Sequence, residues 1–148
     1  MKENFAPRLL AAFGALVLLP LLADGCKTVG LSYQEGGFAE VRATVAHEMI
    51  LDSYQVVVVD LRPNEEYWGP LGHLAGALSV PLGSIEKRLP ELLPYKDSTI
   101  LVYADSEDES RTGSRILVAA GFNSIVRIRG GIREWIDLGY PTVKPPGA

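Results

Sequence analysis

Thr99-Ile-Leu-Val-Tyr-Ala-Asp-Ser-Glu-Asp-Glu-Ser-Arg-Thr-Gly113 reads as a buried strand, Thr99 to Tyr103, that delivers a loop to the start of a helix. In an α/β fold the chemistry sits at that junction, outside the carboxyl end of the strand. Here the loop carries the carboxylates of Asp105, Glu107, Asp108 and Glu109, and no nucleophile of the kind such a cradle usually serves. That contradiction governs the functional reading.

Working outward, strand and helix signals alternate from Phe38 onward. Ala43 to Leu51 fits a short helix with Val45, Met49 and Ile50 turned inward. Val56-Val-Val-Val-Asp60 is a β-branched run of the kind that forms a strand buried on both faces. Ala77 to Val80 predicts a second short strand, stopped by Pro81, and Ser84 to Leu93 a helix. Beyond Thr99 to Tyr103, a helix is expected over Ser110 to Ala120, a strand over Ser124 to Ile128, and a closing helix over Ile132 to Leu138, capped by Gly139. Strands alternating with helices argue for an α/β domain with a parallel sheet covered on both sides. No internal repeat or low-complexity segment interrupts it.

The chain has 148 residues, enough for one domain with a proper core, and 47% of them are apolar. Leu9 to Ala23 is an apolar and small run broken only by Pro20, preceded by Lys2 and Arg8. It is shorter than the ~20 apolar residues of a membrane span and matches a secretory signal, so residues 1–25 are read as a signal peptide. The sole cysteine follows it in Leu21-Leu-Ala-Asp-Gly-Cys26. This resembles the lipobox of bacterial lipoproteins, whose cysteine becomes the acylated first residue of the mature protein; Ala23 stands where leucine is usual. Ala23 and Gly25 also satisfy the small-x-small rule of ordinary signal peptidase, which would leave Cys26 a free N-terminal thiol, and an uncleaved anchor is the third possibility. Acylation of Cys26 would place the protein on a membrane, on the periplasmic or cell-envelope side, and Lys27 after it points to the outer membrane. Residues 26–37 are read as a tether, 38–143 as the folded domain and 144–148 as a tail. Loss of residues 1–25 removes two cations, Lys2 and Arg8, and two anions, Glu3 and Asp24, so the net charge stays at −4. A mildly acidic domain is a poor nucleic-acid binder, and without a further cysteine it holds no disulfide.

Several short motifs then occur in order: Val59-Asp-Leu-Arg62, Glu65 and Tyr67, Gly72-His-Leu-Ala-Gly-Ala77, Val80-Pro81, Leu101-Val-Tyr103 and Gly130-Gly-Ile-Arg-Glu-Trp135. Together they resemble a single rhodanese-like domain, and the resemblance covers residues 38 to 143. It implies the rhodanese-like three-layer sandwich, a central mostly parallel sheet flanked by helices. Enzymes of this family carry sulfane sulfur on a cysteine at the first loop position after the Leu-Val-Tyr strand, activated by loop amides and a helix N-terminus. The resemblance assigns that position to Ala104. The family's loop commonly has a glycine near its middle and an arginine five residues after the cysteine, where this chain has Glu107 and Glu109; Ser110 falls where serine is often found. Phosphatases that share the fold need the same cysteine and arginine.

Charge points the same way. A carboxylate roughly 8 Å from a bound anion, with water-like screening, repels it by about 0.5 kcal/mol. Four of them approach about 2 kcal/mol, or ~30-fold in affinity, offset in part by Arg111 and Arg115. Three readings of the loop remain. Ser106-Glu-Asp-Glu109 fits a capping box at a helix start, where carboxylates also complement the helix dipole. The segment Ala104, Asp105, Ser106, Glu107, Asp108, Glu109, Ser110 could instead be a partner-binding surface, or hold a divalent cation. Elsewhere, His73 is expected to be a hydrogen-bonded scaffold residue, Asp60 to pair with Arg62, Trp135 to be core, and Tyr67 with Trp68 to be core or rim. Asp105 lacks a neighbouring acid, base or metal that would make it a nucleophile.

The expectation is an exported, lipid-anchored rhodanese-like domain with no catalytic residue, no metal and no cofactor, serving as a binding or scaffolding module for an unknown protein partner, with a preference for a basic one, and not for nucleic acid. The alternatives are a sulfur-handling protein that uses a cysteine from elsewhere or Cys26 itself, and a sensor of a cationic ligand.

Overall fold

In the computed structural model the described residues are 32–33, 36–52 and 55–145. Residues 1–25, read as a signal peptide, Cys26 and the last three residues lie outside them. Among the described residues no helix is long and apolar enough to cross a membrane.

The domain is built on one six-stranded sheet in the order β1-β2-β6-β5-β3-β4. Its strands are β1 (Ser32–Tyr33), β2 (Ala39–Val41), β3 (Val56–Asp60), β4 (Leu78–Ser79), β5 (Thr99–Tyr103) and β6 (Ser124–Ile128). All neighbours are parallel except β1, which runs antiparallel to β2 at the edge with Ser32 opposite Glu40. Part of the segment read as a tether is therefore a strand of the sheet, because the unpaired edge of β2 offers its backbone groups to the chain that precedes it. β5 lies in the middle of the sheet between β6 and β3, and it is aligned with β3 in register from Val56 opposite Thr99 to Asp60 opposite Tyr103.

The helices are α1 (Ala43–Asp52), α2 (Asn64–Tyr67), α3 (Ile85–Leu92), α4 (Glu107–Ala119) and α5 (Gly131–Asp137). Side-chain alternation sorts them into two layers. Val58, Leu101, Tyr103, Val126 and Ile128 face α1, α5 and Tyr67, with Trp135 buried among them. Val59, Ile100, Val102, Ala104 and Ile125 face α3 and α4 through Ile85, Leu92 and Leu117. This is the expected three-layer sandwich. The short β2 and α2 carry too few residues for a periodic pattern and become recognisable only when the sheet and the loop after β3 are assembled.

α4 starts at Glu107, three residues before the expected Ser110. The cause is local: Glu109 N–H donates to Ser106 Oγ at 3.2 Å, and the Ser106 hydroxyl donates to Glu109 Oε2 at 2.9 Å. With Glu107, Asp108 and Glu109 in the first turn, the helix dipole favours the early start.

Candidate functional site

The chain leaves β3 toward the sheet edge at β4 and crosses back to β5, so the strand order reverses between β3 and β5. The carboxyl ends of these two strands bound the crevice where open α/β sheets hold ligands. Residues 60–62 line it from β3, residues 104–107 from β5, and the start of α5 closes it.

At the end of β3, Asp60 is fully buried and its carboxylate is saturated. Arg62 donates to it from its backbone N–H (2.9 Å), Nε (3.0 Å) and Nη2 (2.6 Å), and the Tyr103 hydroxyl donates at 2.5 Å. Arg62 Nη2 also donates to the carbonyl of Gly72 at 2.7 Å, and Leu74 N–H donates to Tyr103 Oη at 3.1 Å. Burial opposes the charge on Arg62, but Asp60 outweighs it and raises the guanidinium above its ordinary value. Burial, then the Asp60 charge, pushes the Tyr103 phenol well above its ordinary range, so the hydroxyl stays a donor. Asp60 is thus an anchor for the 62–77 segment, as the pairing with Arg62 implies, and its removal would strand a buried cation at about 3–5 kcal/mol. Among the described residues, Nη1 of Arg62 has no hydrogen-bond partner.

His73 is a scaffold residue, as expected. Its Nδ1 lies 3.1 Å from the carbonyl oxygen of Tyr67, its ring stacks on that of Tyr67, and its backbone bridges Val143. Tyr67 and Trp135 are core, whereas Trp68 is 56% exposed and forms a rim.

At the end of β5, Ala104 is buried in the layer under α4, and Ser110 is buried as well, so neither is open to a partner. Asp105 is half-buried, and Ser106, Glu107, Asp108 and Glu109 are exposed. Two of the acidic loop's carboxylates, Asp105 and Glu107, meet partners that come from other elements. Arg133 of α5 clasps Asp105 with two hydrogen bonds, of 2.8 and 3.0 Å. Glu107 reaches across to accept from Gly130 N–H at 2.7 Å and from Arg127. Asp108 pairs with Arg111 at 3.3 Å. Burial pushes the Glu107 carboxyl up, but the Gly130 amide and Arg127 together overcome it and hold it below the usual value. Repulsion of an anion by the loop is therefore reduced: Arg133 offsets Asp105, the expected Arg111 pairs with Asp108, Arg127 is shared between Glu107 and Glu40, and Glu109 forms no ion pair among the described residues.

Arg127 is the residue that sequence reasoning passed over. It is 1% exposed, lies on β6 between Glu40 (2.6 Å) and Glu107, and donates to the Ser110 hydroxyl at 3.2 Å. The available signal was a cation inside the apolar run Ser124-Ile-Val-Arg-Ile128. A buried arginine in a central strand needs carboxylates on its own face, and those come from positions 40 and 107.

Gly131 closes the crevice on the Ala104 side. Its φ is +54°, and a Cβ there would overlap the carbonyl oxygen of Ala104, so α5 can approach β5 this closely only with glycine. Among the described residues no group of histidine, cysteine, aspartate and glutamate is placed to hold a metal ion.

A three-layer sheet with this strand order and this crevice defines a rhodanese-like α/β domain. Residues 42–138 match the rhodanese-like domain model, and the chain belongs to that family. It is 29% identical over 108 residues to a sulfurtransferase of Allochromatium vinosum, covering 73% of this chain and 97% of that protein. It is 33% identical over 94 residues to an uncharacterized protein of Synechocystis, covering 63% of this chain but spanning only 50% of that relative's length. In fold it is similar to the rhodanese-like domain of the Anabaena Alr3790 protein (TM-score 0.65, 23% identical, 78% of this chain and 87% of that one). It is also similar to a polysulfide-sulfur transferase of Wolinella succinogenes (TM-score 0.61, 16% identical, 75% of this chain and 82% of that one).

Proposed function

We propose that this is a rhodanese-like domain without sulfurtransferase activity, working as a binding or scaffolding module that is exported and held at a membrane through an acylated Cys26. The observation that carries the reading is the end of β5. Where the resemblance assigns the sulfur-carrying cysteine there is the buried methyl of Ala104. The Gly130 amide beside it is taken by the Glu107 carboxylate, and Arg127 is held between Glu107 and Glu40. An incoming anion would find neither a thiolate nor those donors. The exposed loop residues, Ser106 to Glu109, remain a surface a basic partner could use.

A thiosulfate:cyanide sulfurtransferase assay on the full chain, alongside Ala104→Cys, tests this. Turnover by neither protein, or by the variant alone, is the expected result, and turnover by the parent overturns the reading. Labelling with a fatty acid that is incorporated in the parent and lost in Cys26→Ser tests the anchor; equal labelling of the two would refute it. The name of the Allochromatium relative favours a second reading, a sulfur-handling protein that borrows a cysteine from a partner, and an acylated Cys26 could not itself carry a persulfide.

A further inference from the structure

The crevice between β3 and β5 opens into a cavity of about 290 Å³ whose wall includes Arg62, Glu65, Glu66, Pro70, Leu71 and Asp105 clasped to Arg133. It continues through Gly69 and Pro70 into an open groove of about 460 Å³ faced by Trp68, Lys144 and Pro145. Three of its properties specify a ligand. Arg62 is 1% exposed, its other two guanidinium nitrogens are bonded, and Nη1 is a buried donor without an acceptor among the described residues. A buried, unmet N–H is costly, so an oxygen at this wall would be favoured.

The charges then decide which oxygen. Asp60 neutralises Arg62 and Asp105 neutralises Arg133, whereas the exposed carboxylates of Glu65 and Glu66 make no hydrogen bond or ion pair among the described residues. Lys144, the exposed cation of the groove, offsets one of the two, and Arg133 feels the field of Glu66, so the net single negative charge at roughly 8 Å disfavours an anion by about 2-fold and favours a cation by as much. The acceptor is therefore a carbonyl on a molecule that also carries positive charge. Finally, the wall between these groups is apolar: Trp68 is 56% and Leu71 37% exposed, flanked by Pro70 and Pro145.

We infer that this crevice and groove bind a short extended segment of a partner protein, with a backbone carbonyl on Arg62 Nη1, a lysine or arginine at Glu65 and Glu66, and an adjacent apolar side chain against Leu71 and Trp68. This rests on the binding-module reading and names its site: the basic partner docks on α2 and the loop after it, beside the 104–110 loop and not chiefly on it.

The test is selection of a random heptapeptide display library on the full chain, followed by affinity measurement of the recovered peptides. Enrichment of lysine or arginine next to an apolar residue is expected. Affinity should fall about 5-fold in Glu65→Gln/Glu66→Gln, whose exposed side chains leave folding untouched, and stay unchanged in Asp108→Asn/Glu109→Gln. The guanidinium NMR signal of Arg62 should shift on titration. Enrichment of acidic peptides, or no enrichment, overturns the inference. Basic peptides whose affinity falls only in Asp108→Asn/Glu109→Gln overturn it too, while leaving the binding-module reading intact; turnover in the sulfurtransferase assay would instead remove that reading itself.

Discussion

Glu107 shows how one side chain can change the character of an entire crevice. It sits in the first turn of α4, where an acid stabilises the helix dipole, yet its carboxylate is spent on Gly130 and Arg127 across the crevice. Its folded pKa lies below the ordinary carboxylate value because these donors favour the charged form more than burial disfavours it. A lowered folded pKa stabilises the protein above the unfolded value and loses that contribution as the pH falls through the folded one. Glu107→Gln should therefore lower stability near neutral pH by on the order of 1 kcal/mol. The gap between variant and parent should close as the pH drops below about 4. Urea midpoints measured from pH 7 to pH 3 check this, and a gap that stays constant across the range would contradict it. Arg127, fully buried between Glu40 and Glu107, makes the same network sensitive to truncation from the strand side.

At the scale of elements, α4 lies close over the end of β3 because Gly113 faces Leu61. A Cβ at Gly113 would overlap Leu61 Cδ1. Helix propensity alone would reward Gly113→Ala by about 1 kcal/mol, whereas overpacking a buried contact costs about 1–3 kcal/mol. The net effect of Gly113→Ala should be destabilisation of about 1–2 kcal/mol. In a Leu61→Ala background the obstacle is gone and the same substitution should become stabilising. A double-mutant cycle by urea denaturation reads the reversal directly. The start of α4 belongs to this scale as well. Ser106 and Glu109 specify a helix N-terminus in the sequence, and the capping-box reading of that stretch places the boundary at Glu107; the expected start at Ser110 lies three residues beyond it.

For the whole molecule, the C-terminal segment acts as a strap. His73 and Val143 exchange backbone hydrogen bonds at 3.0 and 2.8 Å, and Trp135 Nε1–H donates to the carbonyl of Pro141 at 3.0 Å. Deleting residues 141–148 should remove about 3 kcal/mol, taking ~1 kcal/mol for each bond. It should also speed hydrogen exchange at the His73 amide; unchanged exchange there would argue against the strap. This segment also supplies Lys144 and Pro145 to the groove, so the strap and the candidate partner site are physically continuous. The sequence by itself determined the α/β class, the central strands and the Asp60–Arg62 pair, because each rests on local periodicity or on residues two apart. Only the tertiary structure decided that Arg133 and Arg127 neutralise Asp105 and Glu107, that β1 joins the sheet, and that Arg62 keeps an unmet donor in a cavity rimmed by Glu65 and Glu66. Those facts depend on side chains that are far apart in the chain and meet only when the strands are set in register, and hydrophobic periodicity carries no information about which charge will face which.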